Sequence, residues 1–472
     1  MMILHNKTLK SAVWYTASNV IAKAITLLIT PVFTRLLTKA EYGDYTTFVS
    51  WQNILLTVFS LELSSTVLRA KFDREKDEEF NSYVFTISWF SIIAVIVLCG
   101  LLMIANFNPW INSIIGIDIS FMWMLCSILV FSPILQIYQA QQRAEVRYKT
   151  SSIITIIYGV FSFLLPYVFI KISNNALQSL LFGLTINTVC WGVGLLVFIS
   201  SRSKNRVNLK DIQYALVFSL PIVPHLVSSI IMGNSDKIMI RNMCGSEYAA
   251  IYGLVYTCSL AITLLRNSLN NAWLPWFYRK MNEKKYSDIK QISRFFIVYF
   301  SLGSLLICLL GPEIIKILGG SNYIEAVGLI PIIMVACYYN FLNLFYINIE
   351  FYNKKTIMIS AATICTAILN LILNYVFINK YGYSAAAYTT AFCNLIIVLI
   401  HYIVTRDMDN VKVCNNKMIF IASLVSFIVI LFCVLVYKNL LLRIVSIAIL
   451  CIFTFFYTIS LKRKGMFNHE SI

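Results

Sequence analysis

Charge is scarce in this chain. Only 12% of its 472 residues are Asp, Glu, Lys or Arg, roughly half of what a soluble chain needs to cover its surface. Acids are scarcer still, 21 against 38 basic residues. Neither G-x-x-x-x-G-K-[ST] nor G-x-G-x-x-G occurs, so neither phosphate-cradling loop is encoded. His5, His225, His401 and His469 make no metal-ligand spacing. The twelve cysteines are scattered, with Cys244 and Cys258 the nearest pair in sequence. That spacing excludes a redox or zinc framework, and most of them read as small buried side chains. Asp407-Met-Asp409 imitates a sugar-transferase acid pair but stands alone and reads as a solvated turn. The longest outer loop, about 106–118, carries one charge, Asp118. Nothing soluble is left for a large catalytic domain, so an enzyme, a cofactor or a metal centre is not expected.

What the chain has instead is hydrophobic length. The apolar fraction is 59%, and it falls in runs of about 20 residues, enough to span a hydrocarbon core. In lipid such runs must be helices, and the alternation of a membrane β-barrel is absent. Fourteen spans are expected near 11–37, 45–69, 83–105, 119–140, 151–170, 177–200, 213–236, 248–272, 294–311, 323–349, 357–377, 384–404, 417–437 and 440–460. The fold class is therefore an all-α polytopic membrane protein. The first run lacks a small-residue cleavage site and reads as a retained helix.

The net charge of +17 reads as orientation rather than nucleic-acid binding. With the N-terminus inside, the cytoplasmic loops hold 27 Lys and Arg and the outer loops 8. Both termini are then cytoplasmic. Lys23, Arg35 and Arg266 fall inside spans.

An internal repeat accompanies this layout. Arg35-Leu-Leu-Thr-Lys-Ala-Glu41-Tyr42 follows span 1, and Arg241-Asn-Met-Cys-Gly-Ser-Glu247-Tyr248 follows span 7. Six spans separate the copies. Two like-oriented six-helix lobes, 1–205 and 206–410, are expected, with a site between them. Residues 411–472 add two helices and a basic tail.

Two spans carry polar rows at helical spacing. Span 1 has Thr16, Asn19, Lys23, Thr26, Thr30 and Thr34; span 8 has Tyr252, Tyr256, Ser259, Thr263, Arg266 and Asn270. Rows of Ser and Thr alone are packing seams, the reading for Thr46, Ser50, Asn53, Thr57, Ser60 and Ser64 of span 2. A cation within the row changes the balance, because burying it in a bilayer costs at least about 2.5–3.5 kcal/mol. Lys23 and Arg266 are therefore placed in a cationic cavity with Asn19, Thr26, Arg35 and Thr263. Arg266, read as near the cytoplasmic end, could partly snorkel. Glu62 reads either as an ion-pair partner of Arg69 one face along or as a carboxylate for a coupling proton or sodium ion. Asp236 is the other coupling candidate, or it neutralises Lys237. Tyr339, Asn343, Tyr346 and Glu350 read as an interfacial belt at the cytoplasmic end of span 10, with contact to sugar rings as the alternative.

Asn19-Val-Ile-Ala-Lys23, Thr34-Arg35-Leu-Leu-Thr-Lys-Ala-Glu41-Tyr42-Gly43-Asp44-Tyr45, and Asn234-Ser-Asp236-Lys237-Ile-Met-Ile-Arg241 resemble polysaccharide-export flippases of the Wzx type. These belong to the superfamily of peptidoglycan-precursor flippases and multidrug exporters. The resemblance implies two lobes forming a V, a cavity bound by helices 1, 2, 7 and 8, and alternating access. It implies an undecaprenyl-diphosphate-linked O-antigen or capsule repeat unit as substrate, moved across the bacterial inner membrane. Expected partners are that glycan, membrane lipids, a proton or sodium ion, and a polysaccharide polymerase with its chain-length regulator. A peptidoglycan-precursor flippase, an ion-coupled drug exporter and a membrane glycosyltransferase or polymerase are the alternatives.

Overall fold

The computed structural model describes residues 14, 20–21, 24–74, 76–203, 207–406, 408, 416–437 and 439–463. The described residues divide into two compact units, Met1–Ala250 and Ile251–Ile472.

In the first unit, α1 (Ala24–Leu36) is followed by α2 (Lys39–Phe59). Thr38 and Glu41 form a capping box that starts α2, each satisfying the other's backbone N–H. Span 2 was expected as one helix, yet α2 stops at Ser60. Leu61 and Glu62 adopt left-handed φ values of 50° and 49°, a costly conformation outside glycine. A 3-10 turn, Leu63–Thr66, and α3 (Val67–Asp73) complete the segment. Next come α4 (Asp77–Ala105), α5 (Pro109–Ile115), α6 (Ile119–Ala144), α7 (Tyr148–Ile172) and α8 (Ala176–Ser201). Asp77, Glu78 and Glu79 open α4, where the helix dipole favours acids. Span 7 is also broken. Its two parts, α9 (Leu209–Ser219) and α10 (Val223–Cys244), are bent by 55° around Pro221.

The core of this unit joins Phe80, Tyr83 and Ile87 of α4 to Ile134 and Ile137 of α6, Ile199 of α8 and Ala215 of α9. The other face of α4 exposes Ile93, Ile96, Val97, Leu101 and Ile104. Such a face is stable only against hydrocarbon or another protein.

α11 (Ser246–Asn282) contains the boundary between the units. The second unit continues with α12 (Tyr286–Leu309), α13 (Gly311–Gly319), a 3-10 stretch (Ser321–Leu329), α14 (Ile330–Tyr352), α15 (Thr356–Tyr381), α16 (Ala385–Arg406), α17 (Asn416–Val436) and α18 (Leu440–Arg463). α14 is its central post and packs on α12, α15, α16 and α17. Phe300 stacks on Phe341 at 3.9 Å. α18 rests on α12, with Tyr299 and Thr458 sharing a hydrogen bond of 2.5 Å, and most of its other face is exposed and apolar.

Where the fourteen expected spans fall on described residues they coincide with a helix or a broken pair; most of 11–23 of the first lies outside them. Among the described residues, ten helices are individually long and apolar enough to cross a membrane, eleven with the bent pair counted as one span. The all-α polytopic fold class stands.

Candidate functional site

Asn19 and Lys23 lie outside the described residues. The remainder of the span 1 row runs up α1, where Thr30 Oγ1 donates to the Thr26 carbonyl (2.9 Å) and Thr34 Oγ1 to that of Thr30 (3.0 Å). Thr30 and Thr34 are buried and Thr26 is exposed. Arg35 is exposed and donates to the Pro31 carbonyl at 3.1 Å, on its own helix.

The span 8 row is better defined. Tyr252 and Ser259 are buried, and Tyr256, Thr263, Arg266 and Asn270 are half-buried. Arg266 donates to Asn340 Oδ1 on α14, and to Asn267 Oδ1 from Nη2 (3.1 Å) and Nε (3.3 Å). Farther along, Asn348 Nδ2 donates to Asn270 Oδ1 (3.0 Å), Trp273 meets Phe345 edge-on (5.5 Å), and Tyr352 Oη donates to Asn282 Oδ1 (2.7 Å). From 266–340 to 282–352 the partner numbers rise overall along both helices, so α11 and α14 run parallel. Both hydrogen-bond acceptors around Arg266 are neutral amides. No carboxylate lies within ion-pair distance of it among the described residues. A guanidinium has five donors, and three are engaged here, which leaves two N–H groups and a full positive charge.

Span 8 was expected to end near 272, but α11 continues through Pro275 to Asn282, about 24 Å of helix beyond Arg266. Sequence periodicity misses such an extension because apolar character fades before the helix does.

Glu62 does not meet Arg69. The unwinding at 60–62 destroys the shared face, and Arg69 pairs instead with Asp73 at 3.0 Å. Glu62 is half-buried, and its carboxylate has no hydrogen-bond partner among the described residues. Asp236 is fully buried on α10. Beside it, Lys237 Nζ and Asn53 Nδ2 of α2 both donate to Asn234 Oδ1, each at 3.3 Å. Of the span 2 row, Ser50 and Thr46 bond to carbonyls of their own helix and are buried, as a packing seam requires.

The two repeat starts meet within the first unit. Asp44 accepts from Arg241 Nε (3.2 Å) and from Ser246 Oγ (2.6 Å). Gly43 lies directly against the Ser246 backbone. Asn242 Nδ2 donates to the Ile114 carbonyl (2.6 Å), and Trp51 Nε1 to that of Ile115 (3.0 Å). A small cavity here is lined by Asp44, Thr47, Asp118, Leu181 and Arg241.

The belt reading of Tyr339, Asn343, Tyr346 and Glu350 is overturned. All four are buried, because α14 is packed on several sides. Glu350 meets His401 of α16 there, a pair the sequence analysis missed. Each of these two ionisable residues stands in an apolar helix, and that was the available signal.

The helices and their polar rows define a multi-pass membrane protein with the fold of flippases and multidrug exporters. A structure of the lipid II flippase MurJ, in an inward closed conformation, aligns with a TM-score of 0.69 at 14% identity, covering 95% of this chain and 100% of that one. An inward-facing multidrug transporter of the MATE family aligns at 0.58 and 12% identity, over 81% of this chain and 94% of that one. The chain belongs to the polysaccharide biosynthesis protein family, whose pattern matches residues 8–281, more than half its length. It is 22% identical over 374 residues to Lsg locus protein 1 of Haemophilus influenzae, covering 77% of this chain and 89% of that one.

Proposed function

We propose that this protein flips an undecaprenyl-diphosphate-linked oligosaccharide from the cytoplasmic to the outer leaflet of the bacterial inner membrane, for surface polysaccharide assembly. The observation that carries this reading is Arg266. It is a half-buried cation on an apolar helix, held by neutral amides with two donors free. The diphosphate is the costly group to move through hydrocarbon, and charge-assisted hydrogen bonds from a guanidinium suit it. Lys23 is proposed as a second cation, and Asn19, Thr26 and Thr263 as polar contacts to the head group and sugars. Arg35, exposed on α1, would attract the anion before it is bound. Glu62 and Asp236 are proposed for ion coupling. No covalent bond changes, and both termini lie in the cytoplasm. The two six-helix repeats, 1–205 and 206–410, with 411–472 appended, belong to the same proposal.

The deciding experiment deletes the gene and identifies the lipid-linked intermediate that accumulates, then complements with variants. Arg266→Lys should keep part of the export and Arg266→Ala should lose it with protein level unchanged. Accumulation of the peptidoglycan precursor would transfer the protein to the alternative flippase class. Normal export by a well-expressed Arg266→Ala protein would refute the anion-binding role.

A further inference from the structure

α14 and α16 are joined to α15 by short connections at opposite ends, so both run in the same direction. They pack against each other along a seam of small and polar residues. Ala336 and Ala387, then Asn343 and Asn394, then Glu350 and His401 recur seven residues apart on each helix, always 51 apart in sequence. All six are buried, and Glu350 and His401 are fully so. His401 Nδ1 and Glu350 Oε1 share a hydrogen bond of 2.6 Å.

Four further polar atoms of this seam are unsatisfied among the described residues: Glu350 Oε2, His401 Nε2, Asn343 Oδ1 and Asn394 Oδ1 are buried with no hydrogen-bond partner there. Each such atom costs roughly 1–3 kcal/mol, and four in one seam call for a reason. Three are oxygen acceptors, and the fourth is an imidazole nitrogen that accepts or donates by tautomer. Seven residues of helix put the asparagines about 10 Å from the pair.

The charge count says what the pair takes up. A carboxylate with a neutral imidazole places one net negative charge in a dry interior. One added proton makes the pair neutral overall, on either partner, and removes the burial penalty. Imidazole is a poor ligand for a hard alkali cation, and one carboxylate oxygen is already committed. Among the described residues, the charged and titratable groups at this end of the packed helices are mainly basic. They include Tyr346, Tyr352, Lys354 and Lys355 around α14, Tyr402 and Arg406 on α16, Lys417 on α17, Tyr278, Arg279, Lys280, Glu283, Lys284 and Lys285 by α11, and Tyr286, Asp288, Lys290 and Arg294 on α12. The acids among them, Glu283 and Asp288, are paired with Lys280.

We propose that Glu350 and His401 form a proton-binding site that takes one proton per transport cycle and releases it when the α14–α16 seam hydrates. The transport half of this inference rests on the flippase reading; the proton site itself does not.

The full chain is purified with ¹⁵N-labelled histidine into lipid nanodiscs, and the imidazole signals are followed over about pH 5–8, the interval in which histidine titrates. The wild type should show slowly exchanging His401 imidazole signals that change with pH in this range, whichever partner carries the proton, because the two share a hydrogen bond. In Glu350→Gln, an isosteric change that removes the carboxylate of the pair, this pH-dependent change should be lost. A His401 signal that is constant over the range in the wild type would overturn the proton site without recourse to any variant. So would a sodium-dependent signal that ignores pH. In cells, surface glycan is then measured against external pH for wild type, Glu350→Gln and Glu350→Asp. The pH dependence should flatten in Glu350→Gln and survive in Glu350→Asp. An unchanged profile in a well-expressed Glu350→Gln would refute the coupling. Glycan export independent of the protein altogether would refute the flippase reading, while the nanodisc titration would still decide the site.

Discussion

Gly43→Ala is a sharp test of how the two repeat starts meet. A Cβ added at Gly43 would lie 1.7 Å from the Ser246 carbonyl oxygen and 2.6 Å from its carbon, whereas ordinary contact begins near 3.4 Å. The obstacle is backbone, so no rotamer change relieves it. The start of α2 and residue 246 would have to separate by roughly 1.5 Å, which exceeds the slack in a hydrogen bond. The Asp44 bonds to Ser246 (2.6 Å) and Arg241 (3.2 Å) span this gap. Overpacking costs about 1–3 kcal/mol, and a charge-assisted hydrogen bond contributes about 1.5–3 kcal/mol. Better helix propensity returns about 1 kcal/mol. The net loss is about 1.5–5 kcal/mol, and at roughly 1 kcal/mol per degree for a chain of this length the melting temperature of the detergent-solubilised protein falls by about 1.5–5 °C. Gly100→Ala is the control, because nothing lies within 4 Å of a Cβ there. It should be neutral or slightly stabilising. A Gly43→Ala protein that melts with the wild type would refute the close approach on which this account of the repeat starts depends.

Three other outcomes are expected. Asn340→Asp places a carboxylate against the Arg266 guanidinium, so export should fall by about tenfold or more while protein level holds; unchanged export would remove Arg266 from the substrate path. A cysteine at Lys285 should react with an impermeant thiol reagent only after permeabilisation, in a background freed of accessible native thiols; labelling of intact cells would reverse the orientation. Asp73, at the C-terminal end of α3, sits below the usual carboxylate range because the Tyr214 hydroxyl and then the Arg69 guanidinium donate to it. Its folded-state value is depressed, so the stability it gives is present above about pH 4 and lost as pH falls further. Asp73→Asn should flatten that acid limb of the stability profile, and an unaltered limb would assign it to other groups.

Much of this protein follows from composition and period alone. A chain so poor in charge and so rich in apolar runs has no stable option but membrane helices, because the backbone must satisfy itself in hydrocarbon. That is why the expected spans, over the described residues, fall on helices or broken pairs of helices. Arg266 was legible for the same reason, since a cation in an apolar helix advertises its own cost. The repeat starts were legible as a sequence match, but their contact through Asp44, Arg241 and Ser246 was not. It joins residues about 200 positions apart, and no periodicity encodes which pairs meet. The break at Leu61 and Glu62 escaped notice because no glycine or proline marks it; surrounding packing holds those left-handed residues in place. Glu350 and His401 show the division most clearly. Each residue could be seen alone, one as a belt member and one as a stray histidine. Only the parallel packing of α14 and α16 puts them at one level, in the dark of the interior, where a lone carboxylate and imidazole become a pair.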